Sequence, residues 1–291
     1  MNLSKLAPIV LILPTILFAG CSSSSSGEAE QQDASDTSTD QTDSVNSTTQ
    51  KKLDEAVKAY REYGLAQTDT FVNDTSKFTE AIQSGNMEKA KEIYPSARMP
   101  YERIEPIAEA LGELDPKIDA REGDVPKEEW TGYHRLEKML WEDQTMDGTE
   151  KYADQLLQDV KSLRAKIELA DVTPQTLVTG AVDLLNEVSS SKITGEEERY
   201  SHTDLYDFAA NVDGAQKIVD LLNPVLRQKD EELAATLNKR FDAVYEALNQ
   251  YRHGQDYESY TKLTDKDTQK LSKAIDALAE PLSKIGIVLE Q

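Results

Sequence analysis

Apolar residues recur along most of this chain at steps of three and four. In 232-ELAATLNKRFDAVYEAL-248, Leu233, Leu237, Phe241, Val244 and Leu248 step by 4, 4, 3 and 4, which is the period of one helix face. Tyr152, Leu156, Val160, Leu163 and Ile167 form a second stripe of the same kind. Pro95, Pro100, Pro116, Pro126, Pro174, Pro224 and Pro281 read as breaks between such runs. Thr194 and Glu197 have capping-box spacing, and Asp124 stands just ahead of Pro126 as a second helix start. No segment alternates apolar and polar residues as a half-buried strand does. The predicted fold is all-α, built from antiparallel bundles.

The pattern changes at the start of the chain. Residues 1–20 hold Lys5, an apolar run from Ile9 to Phe18, and small residues before Cys21. This is the form of a secretory signal peptide, too short to span a membrane as a stable helix. The ending LFAG-C resembles a bacterial lipobox, which makes Cys21 the lipidated mature N-terminus; the alternative is an ordinary cleaved signal with a fortuitous cysteine. Residues 22–50 are small, polar or acidic with a single valine. They bury too little surface to offset their ordering entropy, so 21–50 is expected to be a disordered, lipid-anchored tether. The folded domain is expected over 51–291. Cys21 is the one cysteine, so no disulfide framework and no thiolate metal cluster exists within the chain.

Charge narrows the partners. Asp and Glu number 54 against 32 Lys and Arg, for a formal net charge of −22. With no basic surplus to neutralise phosphates, nucleic acid is excluded as a partner, and membrane contact is expected through the lipid anchor alone. An acidic surface instead attracts cations.

Three segments carry candidate chemistry. In 97-ARMPYERIEPIAEALGELDPKIDARE-122, Glu102 and Glu105 share a helical face, Glu109 lies one turn on, and Asp115 and Asp119 flank Pro116. Such carboxylates suit hard cations; the competing reading is a solvated acidic face paired with Arg98 and Arg103. In 130-WTGYHRLEKMLWE-142, Trp130, His134, Glu137 and Trp141 step by 4, 3 and 4 on one stripe. The aromatics mark that stripe as buried, and a buried glutamate needs a partner. His134 and Glu137 can offer a nitrogen and an oxygen to one metal from adjacent turns, or form a packing hydrogen bond. Neither zinc-peptidase signature, H-E-x-x-H or H-x-x-E-H, is satisfied. In 193-ITGEEERYSHTDLYDFAANVDGAQ-216, Glu198, His202, Leu205 and Ala209 step by 4, 3 and 4, which places a second imidazole–carboxylate pair inward. The third histidine, His253, is expected near a helix C-terminus, where it favours the dipole.

Together, 98-RMPYERIEPIAEALGELDPKIDAR-121, 131-TGYHRLEKMLW-141 and 194-TGEEERYSHTDLYDFAANVDGAQ-216 resemble the imelysin-like domain of the EfeO/EfeM iron-uptake lipoprotein family, over roughly residues 55–290. The resemblance implies two packed antiparallel helical bundles with a cleft between them. It assigns the G-x-H-x-x-E motif (Gly132, His134, Glu137) to metal binding, with carboxylates at Glu102, Glu105 and Asp119. The acidic run after Gly195 adds another ligand, Glu197 first and Glu198 second. Arg98, Tyr101, Asp115, Arg121, Glu198 and His202 are candidates for groups that orient the ligands. Many members begin with a cupredoxin-like domain; this chain has only the stretch 22–50 ahead of its helical part.

The function implied is non-enzymatic. A lipid-anchored protein on the bacterial cell surface captures iron, ferric by preference, and delivers it to an EfeU-type permease alongside an EfeB-type haem peroxidase. Zinc, copper or calcium are the alternative cations at the same or a second site. Because carboxylate ligands must be deprotonated, binding is expected to weaken on acidification. Two rivals stand beside this expectation: a metal-dependent peptidase of imelysin type, and a polysaccharide-binding module bridged by metal.

Overall fold

A computed structural model describes residues 38–108 and 112–290. The expected signal peptide, Cys21, the tether as far as residue 37, and Glu109 lie outside the described residues. From Asp43 onward the chain forms one compact unit.

Helix α1 (Ser38–Gln83) begins thirteen residues before the expected domain start, so residues 38–50 are helical. Their composition limits burial, and Ser47, Thr48 and Gln50 are indeed exposed. It does not limit helicity, because a helix nucleated by the amphipathic run that follows extends with one hydrogen bond per added residue. From Leu53 the buried stripe is continuous: Leu53, Ala56, Tyr60, Gly64, Thr68, Phe71, Thr75, Phe78 and Ile82, each three or four residues from the last.

That stripe serves two hydrophobic cores. Its C-terminal half joins α2 (Met87–Glu102), α4 (Asp115–Asp119), α5 (Tyr133–Trp141) and α6 (Thr149–Ile167) around Phe71, Phe78, Tyr94, Tyr133, Leu140 and Leu156. Burial of each Phe contributes about 1.5–3 kcal/mol. Its N-terminal half joins the short α3 (Glu105–Ala108), α7 (Pro174–Ser190), α8 (Asp204–Lys229), α9 (Glu231–Asn249), α10 (Asp265–Leu282) and α11 (Ile285–Glu290). The stripe from Leu233 to Leu248 is buried in this second core, as its spacing predicts. The fold is all-α, and the one strand pairing between named strands among the described residues is the two-residue hairpin β1 (Arg252–His253) with β2 (Asp256–Tyr257). His253 therefore sits in a hairpin, not at a helix end, with Nε2 2.7 Å from Glu258 Oε1.

Several local expectations are overturned. Pro95 and Pro100 lie inside α2, Pro224 inside α8 and Pro281 inside α10; Pro100 and Pro281 are buried, so packing outweighs the lost hydrogen bond there. Of the seven prolines read as breaks, Pro116 and Pro174 stand in first turns, where proline is pre-organised. Thr194 ends a 3-10 turn and caps nothing; the capping boxes are Thr173 with Thr176 and Thr264 with Asp267. No helix starts at Pro126, and Asp124 instead accepts hydrogen bonds from the Arg121 backbone N–H and Nε.

Helix α8 decides where polar chemistry can sit. Every residue from Asp204 to Val212 is buried, so this half of the helix has no solvent face. Asp204, Asp207 and Asn211 share one stripe on it. Charged groups in that position require partners, and the segments facing them supply those partners.

Candidate metal centre

Arg98 is the hub of a buried polar layer to which segments of both cores contribute. It is 1% exposed, and its Nη1 donates to Asp119 Oδ1 at 2.5 Å while Nη2 donates to Glu102 Oε1 at 2.6 Å. Nε lies 2.6 Å from Glu198 Oε1, an ion pair whose N–H is not aligned for a hydrogen bond. Burial disfavours the guanidinium charge, but Asp119, Glu198, Asp207 and Glu102 outweigh it and hold Arg98 charged. The ring of Tyr133, 5.6 Å from the guanidinium carbon, supports its other face.

Lys192 is the second buried cation. It projects from the 3-10 turn Lys192–Thr194, which Gly195 closes at φ +82°. Its Nζ donates to Glu102 Oε2 at 3.2 Å and to both oxygens of Glu105, at 3.0 and 3.1 Å. Asn211 Nδ2 completes the set, donating to Glu102 Oε2 and Glu105 Oε2 at 3.0 and 2.8 Å. The carboxylates of Glu102 and Glu105 are thus surrounded by nitrogen donors from the protein itself.

A different arrangement surrounds His134. Gly132 makes it reachable: at φ +87° it occupies the left-handed region, and a Cβ there would stand 2.4 Å from the Ile118 carbonyl oxygen. Without that side chain the start of α5 presses against the end of α4, which puts His134 beside Asp119. Trp130 secures the same loop, its Nε1 donating to the Ala120 carbonyl at 2.6 Å. His134 Nδ1 faces Glu137 Oε2 at 3.2 Å. Nε2 lies 3.5 Å from Asp119 Oδ1 and 3.7 Å from Glu197 Oε1, and it has no hydrogen-bond partner although buried.

Among the described residues, two groups of side chains bring potential ligand atoms within 4.8 Å of one another: Asp119, His134 and Glu197, and His134, Glu137 and Glu198. The first group fits a cation well. Ligands at about 2.1 Å from a metal can be no more than about 4.2 Å apart, so small side-chain adjustments close it. A cavity of about 210 Å³, lined by Asp115, Asp119, Arg121, Glu187, Lys192 and Glu197 among others, reaches the Asp119 and Glu197 carboxylates from outside. One imidazole and two carboxylates form a donor set of borderline nitrogen and hard oxygen, suited to iron, manganese or zinc and unsuited to soft Cu(I).

Electrostatics keeps the two carboxylates of this group ionised and a proton on its imidazole. Burial opposes ionisation of Glu197, but Lys192, His134 and Arg121 hold its carboxyl well below the usual range. Asp119 is likewise held low, by Arg98 and His134 acting against burial. Burial and Arg98 push the imidazole of His134 toward neutrality, and the carboxylates of Asp119, Glu137 and Glu197 overcome them and raise it.

Of the residues expected to orient ligands, Arg98 and Arg121 contact them directly; Arg121 Nη1 donates to Glu197 Oε2 at 2.8 Å. Tyr101 hydrogen-bonds Asp115 at the edge of the layer. Glu198 is fully buried beside Arg98. His202 does not share a helical face with Glu198: residues 195–203 form turns, α8 begins only at Asp204, and His202 adopts φ +57°. It contributes through its backbone, its N–H donating to the Glu198 carbonyl and its carbonyl accepting from the Tyr260 N–H. Trp130 precedes α5, so the stripe read through it starts one turn late, at His134.

Lys192, Asp204, Asp207 and Asn211 belong to the layer and were not singled out from the sequence. The last three carry a signal, three polar residues at steps of 3 and 4 within the otherwise apolar run around 205-LYDFAANV-212. Lys192 carries none, because its contacts join positions about 90 residues apart.

An all-α fold of two helical cores enclosing a histidine–carboxylate centre is the class these observations define. The imelysin family model matches residues 56–285. A protein named as an Efem/EfeO family lipoprotein in Staphylococcus haemolyticus (strain JCSC1435) is 47% identical over 291 residues, spanning 98% of this chain and 100% of that protein. Another of that name in Staphylococcus aureus (strain NCTC 8325 / PS 47) is 51% identical over 245 residues, 82% of this chain and 86% of its own. The chain belongs to the imelysin family, among its Efem/EfeO members.

Proposed function

We propose that this protein captures an iron ion outside the cytoplasmic membrane and passes it to a permease of the EfeU type, without covalent chemistry. The observation that carries the proposal is the convergence of the buried His134 Nε2 with Asp119 Oδ1 at 3.5 Å and Glu197 Oε1 at 3.7 Å. These carboxylates help to hold a proton on the imidazole, and a cation that displaces that proton gains all three ligands. The cargo enters along the acidic cavity, is ligated by His134, Asp119 and Glu197, and leaves when protons or a partner compete for those ligands. Glu102 and Glu105, already neutralised by Lys192 and Arg98, serve as structural anions on this reading.

Lipidation at Cys21 would hold the protein at the outer face of the membrane, consistent with the lipoprotein name of its relatives. No described helix is long and apolar enough to cross a membrane. An EfeB-type haem peroxidase is the proposed second partner, supplying any redox step. The test is calorimetric titration of wild type and Glu197→Gln with ferric citrate, ferrous iron, zinc, copper and calcium. Iron binding lost in the variant supports the proposal. Absence of iron binding in wild type, or peptide cleavage that requires a bound metal, overturns it.

A further inference from the structure

We infer that Glu137, the acidic member of the G-x-H-x-x-E motif, is a positioning residue and not a metal ligand: it fixes His134 with Nε2 toward the cargo and clamps the turn that carries Glu197. This rests on the metal-capture reading above.

Both carboxylate oxygens of Glu137 are already committed. Oε1 accepts from two backbone N–H groups, Tyr200 at 2.8 Å and Ser201 at 2.7 Å. Oε2 faces His134 Nδ1 at 3.2 Å. The side chain is 0% exposed. Ligating a metal through Glu137 would cost two half-buried backbone donors their acceptor, or leave the buried imidazole N–H without one, at about 1–3 kcal/mol for the latter.

Glu198, the third member of the alternative group, is equally occupied. Its Oε1 faces Arg98 Nε at 2.6 Å and accepts from Tyr94 Oη at 3.4 Å, and its Oε2 accepts from Ser201 Oγ at 2.8 Å. The group His134, Glu137 and Glu198 is therefore a hydrogen-bonded support, and the cargo position lies on the opposite edge of the ring.

One carboxylate thus organises two ligands. By accepting from Nδ1–H, it leaves Nε2 as the nitrogen that exchanges its proton for the cation, the carboxylate–histidine–metal arrangement. By accepting from residues 200 and 201, it ties the turn after Glu197 to α5. Glutamate is required because donors face it on both sides. A glutamine has one amide oxygen, so one side would meet an N–H with another N–H.

The test is nitrogen-15 NMR of the full chain labelled on histidine, titrated with gallium(III) as a redox-inert ferric probe. The chain has three histidines, and His134 is the buried one, so its ring signals are separable. The expected result is a large shift at Nε2 with Nδ1 remaining protonated. Glu137→Gln is expected to weaken gallium binding about 10- to 100-fold at unchanged stoichiometry, and Glu137→Ala more so. Coordination through Nδ1, or a Glu137→Gln loss as complete as that of Glu197→Gln, overturns the inference while leaving metal capture intact. No response at either ring nitrogen of wild type overturns the capture reading itself, and the inference with it. The wild-type spectrum decides between these outcomes even if a variant does not fold.

Discussion

Two groups of carboxylates share one buried layer and have opposite chemistry. Glu102 and Glu105 are enclosed by Arg98, Lys192 and Asn211, with six nitrogen-to-oxygen hydrogen bonds filling their side-chain oxygens. Asp119 and Glu197 are also paired with arginines, but each has one oxygen turned to the imidazole of His134, at 3.5 and 3.7 Å. Acidity is common to both. What separates them is the neighbour they share: Lys192 and Asn211 bridge Glu102 and Glu105, whereas Asp119 and Glu197 meet at an imidazole nitrogen that can ligate a cation.

The largest expected effect comes from removing the internal cation. Lys192→Met keeps the volume and leaves Glu102 and Glu105 buried without their ammonium, so stability at pH 7 should fall by about 3–5 kcal/mol. Chemical denaturation measures this directly. A loss below about 1 kcal/mol would mean the two carboxylates do not depend on Lys192, and the division between the halves would collapse.

Asp204 probes the same layer without touching the proposed ligands. Burial pushes its carboxyl up to about 7 from 3.8; Oδ1 accepts from the Glu198 N–H while Oδ2 is buried without a partner. A carboxyl raised on folding stabilises the fold fully below its unfolded value, and that contribution is lost as pH rises through about 7. Asp204→Asn should therefore flatten the stability curve between pH 4 and 8. Near pH 8 the variant should be the more stable, by at most about 4 kcal/mol, a ceiling set by about 1.4 kcal/mol per pKa unit. Parallel wild-type and variant curves would show that Asp204 stays charged across the range.

Next comes the comparison at the level of binding. Glu197→Gln is expected to weaken iron binding by at least about 100-fold, or about 2.7 kcal/mol. Glu102→Gln is expected to do the reverse, leaving affinity within about threefold, less than 1 kcal/mol, while lowering the denaturation midpoint. If Glu102→Gln abolishes binding instead, the ligand set extends across Arg98 into the enclosed half.

How far the sequence reaches follows from the same geometry. Helical periodicity depends only on neighbours three and four residues away, which is why the stripe from Leu233 to Leu248 reappears intact in the core. His134 was legible because burial of its helix face and the presence of Glu137 are both local facts. The pairing of Glu102 and Glu105 was equally visible, but a carboxylate pair has the same spacing whether a metal or a lysine answers it. Lys192 answers it from about 90 residues away, through a 3-10 turn that no periodicity marks. The tight approach of Gly132 to Ile118 was hidden for a similar reason, since a glycine in a turn looks the same whether or not another backbone rests against it. His202 failed in the opposite direction: helical spacing was assumed from Glu198 onward, through the turns that precede α8.

The smallest expected effect tests whether burial, and not distance, separates strong ion pairs from weak ones in this fold. Arg164 Nε lies 2.5 Å from Asp69 Oδ1, the same separation as Arg98 Nη1 from Asp119 Oδ1. Its partner Asp69 is 63% exposed, whereas the Asp119 side chain is 11% exposed and Arg98 1%. Solvent and salt screen the exposed pair and its two side chains lose freedom in forming it, so a double-mutant cycle on Arg164 and Asp69 should give only about 0.2–1 kcal/mol. That value should shrink further at 1 M salt, where the screening length is about 3 Å. A coupling energy above about 2 kcal/mol would show that an exposed pair in this acidic protein is strengthened by the field of the whole surface. The contrast between the enclosed and open carboxylates would then have to be restated in terms of total charge, with burial as a secondary influence.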